Sequence, residues 1–252
     1  MITSRSNARV VHIRRLLNNS KYRKKSKELV VESIKLIQDI MFESPHTIQD
    51  IYIKEGVECP HWCDKQPIYL SAQVFSECTT LTTSVGIIAV IQSPKWTINH
   101  AEMLSKTVVI CDGISDPSNL GAMIRNVAAF DGHLLVLMPN CADPYHPRAM
   151  RAATTGFGKV PIIFGTDCIE NLIQNQYHFI FCDVTKGVPL YSIQSRPERL
   201  AVVFGSEGQG ITSSTLKKID QCSFVTVPMV KNIDSLNVAV SSGIILSWLF
   251  TL

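Results

Sequence analysis

The chain has 252 residues, of which 46% are hydrophobic and 18% are charged. This composition is too apolar for an intrinsically disordered chain and too poor in charge for a coiled coil. The length allows one large folded domain or two of ordinary size, and either can bury a hydrophobic core. The formal net charge is +3.

The first part of the chain has the pattern of a small mixed domain. Apolar residues near helical spacing predict helices at residues 8–18 and 27–42. Short β-like runs, separated by polar and proline-containing loops, follow at residues 48–53, 68–70 and 86–91. The stretch 92–100 breaks this pattern and predicts a linker. The first domain is therefore expected to span residues 1–92.

The positive charge is concentrated in this first domain. Residues 1–35 contain ten Lys or Arg and two Glu, a net charge of +8, whereas residues 36–252 have a net charge of −5. The densest cluster, KYRKKSK, includes Arg23, Lys24 and Lys25. A cationic segment on a slightly acidic protein favours a nucleic-acid partner over a merely solvated helix face. We predict that these three residues bind nucleic acid, with RNA and DNA both open on charge alone.

After residue 100, short apolar runs alternate regularly with helical patterns. Strands are predicted at residues 107–111, 134–138, 179–183, 200–204 and 224–227. Helices are predicted at residues 120–130, 147–155, 168–174, 213–219 and 236–250. Such alternation is typical of an α/β domain whose parallel sheet is covered by helices on both faces. We expect this second domain to span residues 100–252.

Other features argue against secretion, membrane insertion and metal binding. No apolar export signal follows Met1, and the most apolar stretch, residues 238–252, is interrupted by three Ser and one Gly. The eight cysteines are expected to be reduced thiols. Cys59, His61 and Cys63 lack a second ligand pair at zinc-site spacing, so surface-loop cysteines are favoured over a metal site. We predict a cytoplasmic protein without a membrane segment.

The second domain lacks the dinucleotide fingerprint, the phosphate-binding P-loop and the hydrolase nucleophile elbow. Polar and glycine residues instead follow three of the predicted strands. In the first such segment, DGISDPSNLGAMIRN, a helix is predicted to begin near Asn119 and to carry Arg125 among Gly and Ala neighbours at i±3 and i±4. Small neighbours suit the close approach of a substrate to this cation, although a surface arginine on a capped helix is the alternative.

The other two segments are LAVVFGSEGQGI and VTVPMVKNIDSLNVAV. In the first, a buried strand leads into three glycines around Glu207. Glycines let backbone groups face a ligand, and a carboxylate at the carboxyl end of a strand is well placed for a binding site. A flexible turn is the alternative. In the second, the final helix starts at Ser235 or Asn237, and Asn237 could be only its cap.

Taken in order, DPSNLGAMIRN, VVFGSEGQG and VPM followed by SLNVAVSSGI resemble the three signature motifs of the SpoU (TrmH-type) RNA ribose 2′-O-methyltransferases of the SPOUT superfamily. SRSNARV and VVESIK, near the N-terminus, resemble more weakly the L30e-like α/β domain that binds the RNA substrate in this family. The resemblance implies a SPOUT parallel-sheet domain with a C-terminal trefoil knot, and a homodimer.

The resemblance also implies an activity, namely methyl transfer from S-adenosylmethionine to a ribose 2′-hydroxyl of RNA without a metal. The two-domain layout favours ribosomal RNA over transfer RNA. A non-catalytic RNA-binding factor for ribosome assembly is the alternative from another class. By motif position, the residues implied to line the cofactor pocket are Gly205, Val227 and Leu236, with Met229 and Ser235 nearby. The implied catalytic set is Asn119, Arg125, Glu207 and Asn237.

Arg125 is the strongest candidate for stabilising charge on the attacking oxygen. A guanidinium stays protonated and offers a planar fork of donors, so we expect an oxyanion and phosphate anchor, although the family's arginine is often described as assisting proton removal. Some positions depart from the family pattern. Ala153 stands where Ser is usual, and Thr155 and Lys231 stand where Gly is usual, which leaves the geometry of two loops open.

Overall fold

The computed structural model describes residues 1–96, 107–219 and 221–252. The chain divides into two compact units. The first unit consists of Met1–Lys95 and Asp143–Thr155, and the second of Trp96–Ala142 and Gly156–Leu252. Residues 97–100 of the predicted linker lie outside the described residues.

The elements up to residue 92 are α1 (Ala8–Asn18), α2 (Ser20–Ser26), β1 (Glu28–Val31), α3 (Ile34–Glu43), β2 (Ile48–Lys54), β3 (Ile68–Leu70), α4 (Ala72–Glu77) and β4 (Ile87–Gln92). From residue 107 onward they are β5 (Thr107–Asp112), α5 (Pro117–Ala129), β6 (Gly132–Leu137), α6 (Pro147–Ala153), β7 (Ile162–Phe164), α7 (Asp167–Gln174), β8 (His178–Cys182), β9 (Val188–Pro189), β10 (Leu200–Gly205), α8 (Ser213–Lys218), β11 (Cys222–Thr226) and α9 (Val238–Phe250).

The first unit is built on a four-stranded mixed sheet with the strand order β1-β4-β2-β3. β4 pairs antiparallel with both β1 and β2, and β3 pairs parallel with β2. One face of α1 is buried in the core of this unit together with side chains of the sheet and of α4. The helix predicted at residues 8–18 is confirmed, as are strands at the three predicted positions, whereas α2 and α4 were not predicted.

The single helix predicted at residues 27–42 is wrong. Leu29, Val30 and Val31 are buried in β1, where Val30 lies opposite Val90 of β4. A short apolar run with two β-branched residues suits a strand as well as a helix, and tertiary pairing decides between them. The helix begins only after Ser33, whose hydroxyl accepts a hydrogen bond from the backbone N–H of Leu36 at 3.4 Å.

The second unit is built on a seven-stranded sheet with the order β7-β6-β5-β10-β8-β11-β9, and each of its strand pairs is parallel. This confirms the predicted α/β fold with a large parallel sheet. The five strands and five helices predicted after residue 100 are present, with ends shifted by up to three residues. The short strands β7 and β9 were not predicted. Within the described ranges, no helix is both long enough and apolar enough to cross a membrane.

Arg23 is buried inside the first unit, with only 4% of its surface exposed. Its Nε and Nη2 atoms donate to Oδ2 of Asp143 at 3.1 and 2.6 Å, and its Nη1 donates to the carbonyl oxygens of Leu16 and Leu17 at 2.6 and 3.2 Å. The prediction that Arg23 belongs to an exposed nucleic-acid surface is therefore wrong, because its donors are used within the fold. Lys24 and Lys25, on the same helix, are exposed.

A second buried ionic cluster surrounds Glu32, which is 3% exposed. Its carboxylate accepts hydrogen bonds from the Thr79 hydroxyl, from the Thr80 backbone N–H and hydroxyl, and from Nη1 of Arg151, all at 2.6 to 2.7 Å. The ion pairs of Arg23 with Asp143 and of Arg151 with Glu32 explain why the segment Asp143–Thr155, which lies between β6 and β7 in sequence, packs with the first unit.

We expect Arg23→Met to destabilise the first unit by about 3–5 kcal/mol, because it leaves the carboxylate of Asp143 without its charged partner in a site that excludes most water. Urea unfolding followed by circular dichroism measures this change. The matched control is Lys25→Met, which replaces an exposed cation on the same helix and should cost less than about 0.5 kcal/mol. Equal effects of the two substitutions would contradict the structural role of Arg23.

Candidate active site

Four neighbouring strands of the second unit end at one edge of the sheet. β5, β10, β8 and β11 are adjacent and parallel, so their carboxyl ends meet there. The loops that follow these strands carry all three polar and glycine-rich segments singled out in the sequence. In open parallel sheets this edge is where ligands bind.

Glu207, Asn119 and Asn237 lie within or directly after three of these loops, Asn119 in the first turn of α5, and they form a hydrogen-bonded chain. The Nδ2 group of Asn119 donates to Oε1 of Glu207, and Nδ2 of Asn237 donates to Oδ1 of Asn119 at 3.0 Å. The Oδ1 atom of Asn237 also accepts from the backbone N–H groups of Ala239 and Val240 at 2.9 and 3.3 Å. Asn237 is thus the N-cap of α9 and, through its other amide atom, a member of the site.

The helix α5 positions Arg125. Its N-cap is Asp116, whose carboxylate accepts hydrogen bonds from the backbone N–H groups of Ser118 and Asn119 at 2.8 and 3.0 Å. An apolar stripe of Leu120, Ile124 and Val127 on this helix is buried. Arg125 is exposed, and its guanidinium makes no hydrogen bond or ion pair with any residue that the structure describes. Arg125 lies six positions after Asn119, a rise of about 9 Å along the helix.

The chain passes close to α5 at Gly156. A Cβ atom on Gly156 would lie 2.9 Å from Cα of Arg125 and 3.3 Å from Cβ of Ala128. Thr155, at a position where the motif resemblance leads us to expect Gly, is exposed. The close approach to the Arg125 backbone is therefore made by Gly156 and not by Thr155.

A cavity of about 260 Å³ opens among the loops after β8, β10 and β11. Its lining includes all five residues predicted to bind the cofactor, namely Gly205, Val227, Met229, Ser235 and Leu236. Glu207 and residues of the first turns of α9 also line it. The structure thus brings together the predicted pocket residues, next to the chain of Glu207, Asn119 and Asn237.

Gly205 is required by the tight turn that forms one side of this cavity. A Cβ atom on Gly205 would lie 2.2 Å from the carbonyl carbon of Gly210 and 2.3 Å from the backbone N of Ile211. The turn is closed by hydrogen bonds between the backbones of Ser206 and Gly210, at 3.1 and 2.9 Å. In the loop after β11, Lys231 is exposed. The residue of that loop with a positive φ, +75°, is Asn232 and not Lys231.

Asp183 is a pocket residue that the sequence reasoning missed. It directly follows the buried strand β8 and lines the cavity. Burial alone would raise its pKa. However, Oδ1 accepts hydrogen bonds from the backbone N–H and hydroxyl of Thr185 and from the backbone N–H of Lys186, at 2.8 to 3.0 Å. These bonds outweigh burial and lower the pKa below its ordinary value. A carboxylate at the end of a predicted strand was the signal that could have identified it.

The cysteines of the chain are free thiols. Among the residues described by the structure, no group of three or more His, Cys, Asp or Glu side chains is arranged to hold a metal ion.

Comparison with known proteins identifies the family. Residues 106–247, more than half of the chain, match the sequence model of the SpoU rRNA Methylase family. The chain therefore belongs to this family, and the resemblance of its three motifs is confirmed.

Two curated relatives cover nearly the whole chain. It is 27% identical over 233 residues to the 23S rRNA (guanosine(2553)-2′-O)-methyltransferase RlmP of Bacillus subtilis, with 91% of each chain covered. It is 26% identical over 234 residues to the 23S rRNA (guanosine-2′-O-)-methyltransferase RlmB of Escherichia coli K12, covering 86% of this chain and 96% of the relative.

Solved structures share the fold. The SpoU methyltransferase AviRb of Streptomyces viridochromogenes, in complex with AdoMet, superposes with a TM-score of 0.83 at 20% identity and 97% coverage of both chains. An AdoMet-bound rRNA methyltransferase of Sinorhizobium meliloti gives 0.81 at 21% identity, with 98% of this chain and 96% of that chain covered.

We expect Gly205→Ala to destabilise the second unit by at least about 1–3 kcal/mol and to abolish binding of S-adenosylmethionine, because the added methyl group must displace the backbone at residues 210 and 211. Differential scanning calorimetry and isothermal titration calorimetry measure the two effects. Gly208→Ala is the control for stability, since a Cβ atom there meets nothing within 4 Å. If Gly205→Ala unfolded at the wild-type temperature, the tight turn would not require glycine.

Proposed function

We propose that this chain is an S-adenosylmethionine-dependent RNA 2′-O-ribose methyltransferase that acts on ribosomal RNA. The observation that carries the proposal is the convergence of the three motif loops. They join Glu207, Asn119 and Asn237 by hydrogen bonds beside a cavity with Gly205 and Leu236 in its lining. The names of the two relatives, both 23S rRNA guanosine 2′-O-methyltransferases, support ribosomal RNA as the substrate.

The cavity suits S-adenosylmethionine in the chemistry of its lining. Its volume of about 260 Å³ lies slightly below the ~300–1,000 Å³ typical of small-molecule pockets. At Gly205 no side chain separates the backbone from a ligand, and Val227 and Leu236 offer apolar surface. The carboxylates of Asp183 and Glu207 complement a cationic ligand. When bound, this cofactor supplies an electrophilic methyl group on its sulfonium.

Arg125 would act on the RNA side of the reaction. A ribose hydroxyl is a poor nucleophile, so the protein must align it and stabilise the charge that develops on its oxygen. The exposed guanidinium of Arg125 has its donors available for that oxygen or for the adjacent phosphate. Because a guanidinium remains a cation at neutral pH, we assign it the role of an anchor rather than that of a base.

Glu207, Asn119 and Asn237 would hold the loops around the cofactor in one arrangement. Asn119 supplies both a donor and an acceptor, so it can bond to Glu207 and Asn237 together without changing its protonation state. In this proposal the three residues orient the cofactor end of the site, and Asn119 does so from the helix that carries Arg125.

The first unit would bind the RNA substrate. In this proposal residues 1–92 form an L30e-like domain, residues 100–252 form the SPOUT domain, and Asp143–Thr155 is the part of the latter that packs with the former. The net charge of residues 1–35 supports a polyanionic ligand. Lys24 and Lys25 remain the candidate contacts, since both are exposed.

A trefoil knot, a homodimer and a cytoplasmic location complete the proposal. Family membership supports the knot. The apolar residues Val240 and Phe250 of α9 are half exposed, at 51% and 50%, and a second copy of the chain would cover them. The ribosomal RNA named in the bacterial relatives supports a cytoplasmic location.

We expect Arg125→Ala to reduce methyl transfer by at least about 100-fold and to leave S-adenosylmethionine affinity near the wild-type value, because the lost donors serve the attacking oxygen rather than the cofactor. Transfer of labelled methyl groups to ribosomal RNA from cells lacking the gene measures the first quantity, and isothermal titration the second. Lys217→Ala, which removes another exposed cation, is the control. Cofactor affinity that falls together with activity would contradict this division of roles, and wild-type transfer to transfer RNA alone would contradict the substrate.

We expect Lys24→Ala/Lys25→Ala to weaken RNA binding and to reduce the slope of log affinity against log salt concentration by about 1–2, since each lost phosphate contact releases about one counterion fewer. Filter binding at several salt concentrations measures the slope. Arg23 is left intact because it stabilises the fold, and Lys217→Ala serves again as the control. An unchanged affinity at low salt would assign Lys24 and Lys25 to a solvated helix face.

A further inference from the structure

Asn126 follows Arg125 on α5 and points its amide at α9 instead of toward solvent. Its Nδ2 group donates to the backbone carbonyl of Ala239 at 2.8 Å and to the hydroxyl oxygen of Ser242 at 2.9 Å. Ser242 is fully buried, and its hydroxyl donates to the same carbonyl at 2.8 Å. One side-chain amide thus joins two helices through a closed set of hydrogen bonds.

Gly243 lets the two helices approach at this point. A Cβ atom on Gly243 would lie 3.3 Å from Nδ2 of Asn126, closer than side chains normally pack, and 3.6 Å from its Cγ, an ordinary contact distance. The residues of α9 that face Asn126 are therefore small. Small residues leave few side-chain ridges to fix how far one helix is shifted along the other. A buried polar pair with defined partners can fix that register.

The two helices carry different parts of the site. Arg125 lies on α5, while Asn237 caps α9, and Val238, Ser241 and Ile245 of α9 line the cavity. The contact of Asn126 with Ala239 and Ser242 therefore links the helix that carries the arginine to the helix that forms part of the cavity wall. The close approach of Gly156 to the Arg125 backbone is a second restraint on the same turn of α5.

We propose that Asn126 is a positioning residue that sets the place of Arg125 relative to the methyl-donor pocket. This role rests on the proposed function. The amide touches neither the cavity nor Arg125, and it acts by holding the register of α5 against α9. A displacement of about 1 Å in a group that aligns reactants can cost roughly 100-fold in rate, so a small shift of α5 is enough to matter.

The test compares the full-length wild-type chain with Asn126→Ala in methyl transfer to ribosomal RNA and in S-adenosylmethionine binding. We expect kcat to fall about 10- to 100-fold, with the KM for RNA and the cofactor affinity each within about twofold of wild type. Ser242→Ala, which leaves the Ala239 carbonyl as an acceptor, should lower kcat less. It also keeps the test decisive if Asn126→Ala folds poorly.

Two controls separate positioning from a general loss of stability. Asn175→Ala removes an amide that donates to the Asn171 carbonyl at 2.7 Å at the end of α7, and it should leave kcat unchanged. In an Arg125→Lys background, which keeps a cation without the planar fork, Asn126→Ala should reduce kcat less than it does in the wild type, because the two substitutions disturb the same interaction.

Three results would overturn the proposal. The first is a kcat for Asn126→Ala equal to that of Asn175→Ala. The second is a loss of kcat on adding Asn126→Ala to Arg125→Lys that is as large as the loss in the wild type. The third is a loss of cofactor affinity in Asn126→Ala as large as its loss of kcat. A wild-type chain that transfers no methyl group to RNA would refute the proposed function itself, and the role of Asn126 with it. The wild-type measurement therefore distinguishes the two failures.

Discussion

The site of the second unit depends on two hydrogen bonds made by the Asn119 side chain. One reaches Glu207, 88 residues away in sequence, and the other comes from Asn237, 118 residues away. Asn119 can bridge them because an amide offers a donor and an acceptor at once, whereas a carboxylate in its place would face Glu207 with like charge. Three loops are thus held together by one side chain, beside a cavity that two of them help to line.

The parallel sheet makes this bridge possible. Four adjacent parallel strands deliver their carboxyl ends to one edge, so segments far apart in sequence emerge as neighbours. The helices α5 and α9 then start from two of these loops, capped by Asp116 and Asn237. Asn237 is both the N-cap of α9 and a member of the hydrogen-bonded chain of the site. The residue that starts the helix therefore also belongs to the site.

In the first unit, some basic side chains form ion pairs within the fold, whereas others are exposed to solvent. Arg23 and Arg151 are drawn into ion pairs with Asp143 and Glu32, whereas Lys25 stays in solvent. The planar guanidinium is less strongly hydrated than an ammonium and can satisfy several acceptors at once, so arginine suits the buried position of Arg23 and the partly exposed position of Arg151. A count of positive charges in the sequence therefore overstates the cationic surface.

The sequence by itself determined the α/β class, the main strands after residue 100 and the helix α1, because hydrophobic periodicity and helix caps are local properties of the chain. It also determined the family, through three ordered motifs. Only the tertiary structure decided that residues 28–31 form a strand, that Arg23 is buried, that Asp143–Thr155 packs with the first unit, and that Asp183 lines the cavity. Each of these outcomes depends on a partner far away in sequence, and no local pattern records which distant residue will meet it.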